Sequence, residues 1–173
     1  MDAFEKILPK LINISLFSDF KLGNQDDERI LRKVYDNLSV EKFGKGEVII
    51  KEGSFGDKFY ILYSGQVQVL RKTPAGDVIA LADLNAEQNV FFGETALISQ
   101  EDTRSATVKA LTDSTAIVLS SKKFIELCNK EPLLGYRVVL RIARGMSRTI
   151  RETNSDKAAL YEALFTEIEE GGY

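Results

Sequence analysis

The chain has 173 residues, of which 44% are hydrophobic and 28% charged, with a net charge of −3 and no histidine. This length fits one domain with a sizeable core. The acidic balance argues against a broad DNA-binding surface, which needs a basic face. Without histidine, Ser-His and Cys-His catalysis is excluded and the commonest transition-metal ligand is missing. We therefore expect no catalytic residue, no metal site and no cofactor.

The cysteine content and the lengths of the apolar runs indicate the cellular compartment of the protein. The single cysteine, Cys128, excludes an internal disulfide framework and is consistent with a reducing cytosol. No apolar run approaches the ~18 residues of a membrane span. The first residues lack the basic start and apolar centre of a secretory signal. The sequence thus predicts a cytoplasmic protein without a membrane span.

The first segment, residues 1–37, has the apolar spacing of helices. One helical face is formed by Phe4, Ile7, Leu8, Leu11 and Ile12. Pro9 interrupts this face, so we expect a kink there or a helix that begins near it. Asp26 has the character of an N-cap for a second helix, whose apolar stripe contains Ile30, Leu31 and Val34.

The second segment, residues 38–120, changes to the period of two that is typical of strands. Strand-like runs separated by glycines cover residues 48–50, 59–63, 66–70, 78–81, 106–110 and 115–119. A turn is predicted at residues 74–77, which read Pro-Ala-Gly-Asp. Short strands at this spacing favour an antiparallel sandwich or barrel.

The third segment, residues 121–173, returns to helical spacing. Ser120 and Ser121 cap a short helix, and Pro132 opens a long one, where its missing N–H is not needed. The long helix has one apolar stripe, formed by Leu134, Val138, Ile142, Met146, Ile150 and Thr153. This stripe either covers the β-structure or joins two copies of the chain.

The residues that could bind a ligand lie in the middle of the strand segment. Residues 92–97 read Phe-Gly-Glu-Thr-Ala-Leu, and residues 104–110 read Arg-Ser-Ala-Thr-Val-Lys-Ala. The Arg104 guanidinium is a planar fork that can bind two phosphate oxygens at once, and Ser105 adds a hydroxyl donor beside it. A short helix over residues 95–98, beginning with Thr95 and small Ala96, would offer backbone N–H groups to the same phosphate.

Two further residues of this stretch suit a ribose. Glu94 would repel a phosphate, so its reasonable role is to accept a hydrogen bond from a ribose 2′-OH. Gly93 permits positive φ or a close approach of the backbone. The alternative is a simple salt bridge between Glu94 and Arg104 that closes a loop.

The two motifs, in this order, closely resemble the phosphate-binding cassette of cyclic nucleotide-binding domains. Residues 48–65 also resemble the glycine-punctuated strand pair of that family, and the resemblance extends over residues 16–155. It implies that Glu94 binds the ribose and Arg104 the phosphate, while Gly93, Ala96 and Ser105 supply backbone or hydroxyl contacts. Thr95 stands where an apolar residue is common.

The resemblance also implies a fold and an architecture. The fold class is α+β but mainly β: an antiparallel β-roll or jelly-roll barrel with N-terminal helices. A short phosphate-binding helix and a long C-terminal helix complete it. The implied function is a non-catalytic sensor that binds cAMP, or less readily cGMP, and couples the ligand to movement of the C-terminal helix. The effector protein that receives the signal is not indicated.

Recognition of the base is expected from the long helix. Residues 143–154 resemble the dimerisation helix of the catabolite activator branch of the family, which implies a homodimer through this helix. In that register Thr153, and Asn154 of a second copy, lie near an adenine, and Arg144 or Arg148 could stack on the base. The alternative is that these are solvated helix positions.

Three other readings compete with the sensor. A degenerate domain would keep the fold and serve only in assembly, without a ligand. A cupin-type metalloenzyme on a similar β-roll needs histidines, which are missing here. A transcription regulator needs a helix-turn-helix after the long helix, and the acidic residues that follow Asn154 leave no room for one, so we expect no DNA partner.

Overall fold

The computed structural model describes residues 3–99 and 103–170. Its four α-helices are α1 (Ala3–Asn13), α2 (Gln25–Tyr35), α3 (Ser121–Lys130) and α4 (Pro132–Glu170). Its eight strands are β1 (Ser39–Phe43), β2 (Val48–Ile50), β3 (Lys58–Ser64), β4 (Gln66–Lys72), β5 (Val78–Asn85), β6 (Phe91–Phe92), β7 (Thr107–Ala110) and β8 (Ser114–Ser120). Short 3-10 helices cover Ser15–Phe17, Ala86–Gln88 and Glu94–Leu97.

The strands form two antiparallel sheets of four strands each. One sheet has the order β1-β8-β3-β6 and the other has the order β2-β7-β4-β5. The predicted β-roll with flanking helices is confirmed, but it is not a closed barrel, since no strand pairing joins the two sheets within the described residues. The division of the chain at residues 37 and 120 remains a prediction.

Strands β3 and β8 are buried on both faces, because the roll has a second layer of helices. Tyr60 and Leu62 belong to the apolar cluster between the two sheets, with Phe92 of the same sheet and Val67 of the other. The alternate residue Ile61 belongs to a separate cluster with the helices. That cluster contains, among others, Leu11, Phe17, Leu31, Val34, Phe124, Leu134 and Val138.

Helix α2 begins before the predicted cap. Asn24, not Asp26, is the N-cap residue: its backbone is extended, and its side chain accepts a hydrogen bond from the Asp27 N–H at 3.1 Å. The prediction of Asp26 was therefore wrong by two residues. Asp26 and Asp27 lie in the first turn, where carboxylates are favourable, and Asp27 is buried.

Helix α1 runs through Pro9 and does not begin near it. The helix begins at Ala3, and Pro9 lies inside it. Proline removes one backbone hydrogen bond from a helix. Packing offsets this cost, because Phe4, Leu8 and Leu11 are buried against the neighbouring helices and the sheet.

Most other local predictions are confirmed. The predicted strands agree with β2, β3, β4, β5, β7 and β8 within a few residues, and the turn at 74–77 joins β4 to β5. The Ser120 hydroxyl accepts from the Lys123 N–H, and α4 begins at Pro132. Strands β1 and β6 were not predicted individually; β6 has only two residues.

Helix α4 extends far beyond the body of the protein. Leu134, Val138 and Ile142 are buried, but Met146 and Ile150 are 41% and 59% exposed. The predicted stripe therefore covers the roll only over its first part. In the part of the chain that the structure describes, no helix is long and apolar enough to cross a membrane.

Ion pairs fasten α3 and α4 to the N-terminal helices. The Glu131 carboxylate, between α3 and α4, accepts from Arg29 at 2.5 Å and from Lys33 at 2.5 Å. These two cations lower the pKa of Glu131 to about 2, through hydrogen bonds first and charge second. These ion pairs thus join helix α2 to the connection between α3 and α4.

We expect the pairs at Glu131 to make stability depend on pH. Because the pKa of Glu131 is lower in the folded chain, its stabilisation is complete above about pH 4.5 and is lost as the pH falls toward about 2. Thermal unfolding of the wild type and Glu131→Gln should differ most at pH 6 and converge only near pH 2. A difference that is constant with pH would contradict this prediction. Exposed Glu126→Gln is the matched control, with no such trend.

Candidate ligand-binding site

The candidate site lies where β6, the third 3-10 helix and the segment before β7 meet. Gly93 joins β6 to the 3-10 helix Glu94–Leu97 in the left-handed region, with φ of +74°. A Cβ at this position would lie 2.8 Å from Arg104 Nη1 and 3.1 Å from the Lys58 carbonyl oxygen. Glycine is needed here for both its conformation and its size.

Arg104 is fixed from several sides. Its backbone N–H donates to the Ser54 carbonyl at 2.9 Å, and its own carbonyl accepts from the Gly53 N–H at 2.8 Å. Its guanidinium donates through Nη2 to the Lys58 carbonyl at 2.6 Å and through Nη1 to the Gly93 carbonyl at 3.2 Å. These contacts orient the guanidinium and leave N–H groups free for another acceptor.

Gly56 allows this position of the guanidinium. A Cβ at Gly56 would lie 2.5 Å from Arg104 Nε and 2.8 Å from Nη2. The Cβ of any other residue at position 56 would collide with the Arg104 guanidinium. The glycine-punctuated segment before β3 therefore makes room for the side chain of a residue that is distant in sequence.

The charge of Arg104 is buried and has no ion-pair partner within the described residues. Arg104 is only 8% exposed. Burial lowers the pKa of the Arg104 guanidinium, while nearby Tyr60, Asp57 and Glu94 act to raise it. An arginine remains charged under these conditions. A buried cation with unused donors is suited to bind an anion.

Five of the six predicted ligand residues line one small cavity. Its volume is about 160 Å³, and the five residues are Gly93, Glu94, Thr95, Arg104 and Ser105. The sixth, Ala96, is a buried residue of the 3-10 helix and donates its N–H to the Gly93 carbonyl at 3.2 Å. Its small side chain acts in packing and does not line the cavity.

The simple salt bridge between Glu94 and Arg104 is not formed. Both residues line the small cavity, but their side chains make no ion pair with each other. The helix that begins at Glu94 is a single 3-10 turn, Glu94–Leu97. It begins and ends one residue before the predicted helix over 95–98. The Ala96 N–H donates to the Gly93 carbonyl, whereas the N–H groups of Glu94 and Thr95 have no backbone acceptor within the turn.

A larger cavity lies between the roll and α4, and Glu94 belongs to both cavities. Its volume is about 510 Å³. Apolar residues of the lining are Leu16, Phe91, Ile142, Met146 and Ile150, and polar ones are Ser15, Glu94, Arg141, Arg148 and Thr149. A ligand that contacts Arg104 and Glu94 can therefore extend toward α4.

The structure separates the four residues predicted to contact a base. Arg148 lines the larger cavity, whereas Arg144, Thr153 and Asn154 are exposed elsewhere on α4. The residue that sequence reasoning missed is Thr149, which does line it. A signal was available: Thr149 follows buried Ile142 by seven residues, so it lies on the same face of the helix.

The α4 side of the larger cavity is held by a charged pair. Arg141 donates through Nε to Asp19 at 2.9 Å and through Nη2 to the other oxygen of the same carboxylate. The hydrogen bond to Arg141 lowers the pKa of Asp19, and the same bond raises the pKa of Arg141. One turn earlier, Arg137 pairs with buried Asp27 at 2.6 Å. These two ion pairs thus hold the first part of α4, which forms one wall of the larger cavity, against the N-terminal part of the chain.

The fold and the site together are those of a module suited to bind a small molecule: a two-sheet roll with a cavity lined by the buried Arg104 and an adjoining cavity under a long helix. No group of acidic or cysteine side chains that could hold a metal occurs in the described ranges. The family model for the cyclic nucleotide-binding domain matches residues 40–131. The chain belongs to this family.

Named relatives support the assignment over different lengths of the chain. Human cGMP-dependent protein kinase 2 is 38% identical over 93 residues, which is 54% of this chain and 12% of the kinase. The cAMP-activated global transcriptional regulator CRP of Salmonella typhimurium is 28% identical over 133 residues, which is 77% of this chain and 60% of the regulator. This chain thus corresponds to only part of each relative.

A solved structure supports the fold. A cyclic nucleotide-binding domain from Methylobacillus flagellatus aligns with a TM-score of 0.71 at 22% identity. The alignment covers 88% of this chain and 83% of the other. At this identity the likeness concerns the fold alone.

Proposed function

We propose that this chain is a cyclic nucleotide sensor that binds cAMP in preference to cGMP and catalyses no reaction. The observation that supports it most strongly is the buried Arg104 guanidinium, which has no carboxylate partner among the described residues and shares a cavity with Glu94. A cyclic phosphate diester carries one negative charge and no proton that titrates near neutral pH. It therefore needs donors such as Arg104 and Ser105, and no acid or base.

The division of roles follows from the positions of the two cavities. The phosphate would bind to Arg104, Ser105 and the first N–H groups of the 3-10 helix. The ribose would donate its 2′-OH to Glu94, which lies at the boundary between the cavities. The base would then enter the larger cavity, against Thr149 and Arg148.

Ligand binding would act on α4 because the larger cavity has one wall on the roll and one on the helix. A ligand can shift the helix only by as much as its affinity differs between the two positions. Movement of the exposed part of α4 would carry the signal to an effector protein. In the kinase and in the transcription regulator above, the matched region is only a part of a longer chain. That an effector protein receives the signal from this chain is part of the proposal.

Calorimetry with cAMP, cGMP and 5′-AMP tests the proposed function. We expect binding of the cyclic nucleotides, strongest for cAMP, and at least about 10-fold weaker binding of 5′-AMP, whose extra ionisation adds charge that one arginine does not balance. No heat and no thermal shift with any of the three at millimolar concentration would refute the sensor. That outcome would favour the assembly module without ligand.

The base contact can be tested with two threonines on the same helix. We expect Thr149→Val to weaken cAMP binding about 5- to 10-fold, because it removes one hydroxyl from the cavity wall. Thr153→Val is the matched control and should bind cAMP as the wild type does. The opposite ranking would place the base at the register first inferred from the sequence. Calorimetry of both variants measures the difference.

A further inference from the structure

A third cavity lies on the other side of Arg104, against the connection between β2 and β3. Its volume is about 220 Å³, which is below the usual range for a drug-sized ligand and suits a small ion. The polar side chains that line it are Lys51, Ser54, Asp57, Lys58, Tyr60 and Arg104. Among the described residues, neither Glu94 nor Ser105 lines it, so it is separate from the small cavity proposed for the cyclic phosphate.

The small cavity and the third cavity meet different edges of the Arg104 guanidinium. Gly93, which lines the small cavity, lies beside Nη1, whereas Gly56, which lines the third cavity, lies beside Nε and Nη2. Within residues 3–99 and 103–170, Nε has no acceptor and Nη2 donates only to the Lys58 carbonyl. The guanidinium therefore has unused N–H groups on the side of the third cavity as well.

Tyr60 brings a second unused donor to the third cavity. The residue is only 6% exposed, and its hydroxyl forms no hydrogen bond within the described ranges. Burial is the main cause that raises the pKa of Tyr60, and the Glu41 carboxylate is the next, so the hydroxyl keeps its proton at neutral pH. A buried hydroxyl without a protein partner is costly unless a ligand or water accepts its hydrogen bond. Two nearly buried donors thus line one cavity.

The charges around the third cavity favour an anion. Lys58 is neutralised, because its ammonium pairs with the Glu41 carboxylate at 2.7 Å. Lys51 is exposed and forms no ion pair in the part of the chain that the structure describes. Arg104 and Lys51 therefore contribute two positive charges, and the Asp57 carboxylate contributes one negative charge. The remaining balance of one positive charge suits an anion with a single charge.

We propose that the third cavity is a binding site for inorganic phosphate. Arg104, Tyr60 and Lys51 would donate hydrogen bonds to its oxygens. The Asp57 carboxylate can only accept a hydrogen bond, so it selects an anion that keeps a proton. Phosphate has a P–OH group near neutral pH, whereas sulfate has no proton and would be repelled by Asp57. The cavity should therefore discriminate between two tetrahedral anions of similar size.

Phosphate in the third cavity would weaken the binding of cAMP, a consequence that rests on the proposed function. The two anions would share the Arg104 guanidinium, and like charges close together in a partly buried site repel each other. They would not exclude each other, because they occupy different cavities. The cAMP affinity should therefore fall about 5-fold and reach a plateau as the phosphate concentration rises. A loss without a plateau would show competition for one cavity and would refute a separate site.

Phosphate binding is tested without a nucleotide, so its failure is distinct from failure of the sensor. Amide NMR spectra of the whole chain are recorded as phosphate or sulfate is added at constant ionic strength. We expect saturable shifts at Ser54, Gly56 and Asp57 with millimolar phosphate, and at least about 10-fold weaker binding of sulfate. No saturable shift, shifts confined to Gly93 and Ser105, or equal binding of the two anions would overturn the proposal.

Conservative variants test the role of each side chain in the same titration. Tyr60→Phe keeps the ring but should weaken phosphate binding about 10-fold, because it removes the hydroxyl. Asp57→Asn should bind sulfate about as well as phosphate, since an amide can donate where the carboxylate cannot. Lys51→Ala should weaken phosphate binding about 3-fold, and exposed Lys45→Ala, outside the cavity, is its matched control with no effect. Unchanged phosphate affinity in Tyr60→Phe, or an unchanged preference in Asp57→Asn, would refute the site.

Discussion

Replacement of Arg104 by leucine will reduce cAMP affinity by at least about 100-fold in calorimetry. Charge-assisted hydrogen bonds to a phosphate contribute about 1.5–3 kcal/mol each, and a bidentate arginine makes two of them. A tenfold change corresponds to about 1.4 kcal/mol. In this chain the expected effect is large because the guanidinium is buried and oriented by the carbonyls of Lys58 and Gly93. Among the residues that the structure describes, no other cation lines the small cavity.

The Arg104→Lys variant shows how much of the cAMP affinity depends on the charge of Arg104 and how much on the shape of its guanidinium. Arg104→Lys keeps one positive charge but loses the planar fork, so we expect binding between that of the wild type and that of Arg104→Leu. Thermal unfolding of both variants controls for folding, because the arginine also bonds two backbone carbonyls. If Arg104→Leu folds normally and binds cAMP within 3-fold of the wild type, the phosphate does not bind at this arginine.

The second large effect concerns stability and is expected at Gly65. Its φ is +91°, and an added Cβ would lie 2.7 Å from the Asp113 carbonyl oxygen and 2.8 Å from the Ser114 Cα. Both atoms belong to the backbone just before and at the start of β8, so they cannot turn aside. We expect Gly65→Ala to lower stability by about 3 kcal/mol or more, which is roughly 6–12 °C in melting temperature.

Gly76 is the matched control for this substitution. It has a similar φ of +95° in the turn between β4 and β5, but nothing lies within 4 Å of an added Cβ. Gly76→Ala therefore has the backbone strain without the collision, and we expect a loss of only about 1 kcal/mol. Equal losses for the two variants would show that conformation alone decides the effect.

The local predictions succeeded where short-range chemistry decides the structure. Pro132 and Ser120 mark helix starts because a missing N–H and a hydroxyl acceptor act within one turn. The N-cap predicted at Asp26 and the alternative of a helix start near Pro9 were wrong for the opposite reason. Asn24 competed as a cap only two residues away, and burial of Phe4 and Leu11 stabilised a helix through a residue that disfavours one.

The order of residues 92–110 was sufficient to predict an anion site with Arg104 and Glu94. The sequence could not show whether these charges neutralise each other. That depended on three-dimensional positions: the Arg104 guanidinium bonds to the Lys58 and Gly93 carbonyls and passes beside Gly56. These contacts hold it apart from Glu94, so that both side chains remain available to a ligand.

The long helix shows most clearly what each level of structure decides. By itself the sequence determined that residues after Pro132 form a helix with apolar and charged faces, since spacing and propensity act along the chain. Only the tertiary structure decided which face covers the roll, because burial of Leu134, Val138 and Ile142 orients the helix. That orientation brings Thr149, and not Thr153, to the cavity beside Glu94. It also leaves the side chains of Met146, Ile150 and Ile168 exposed.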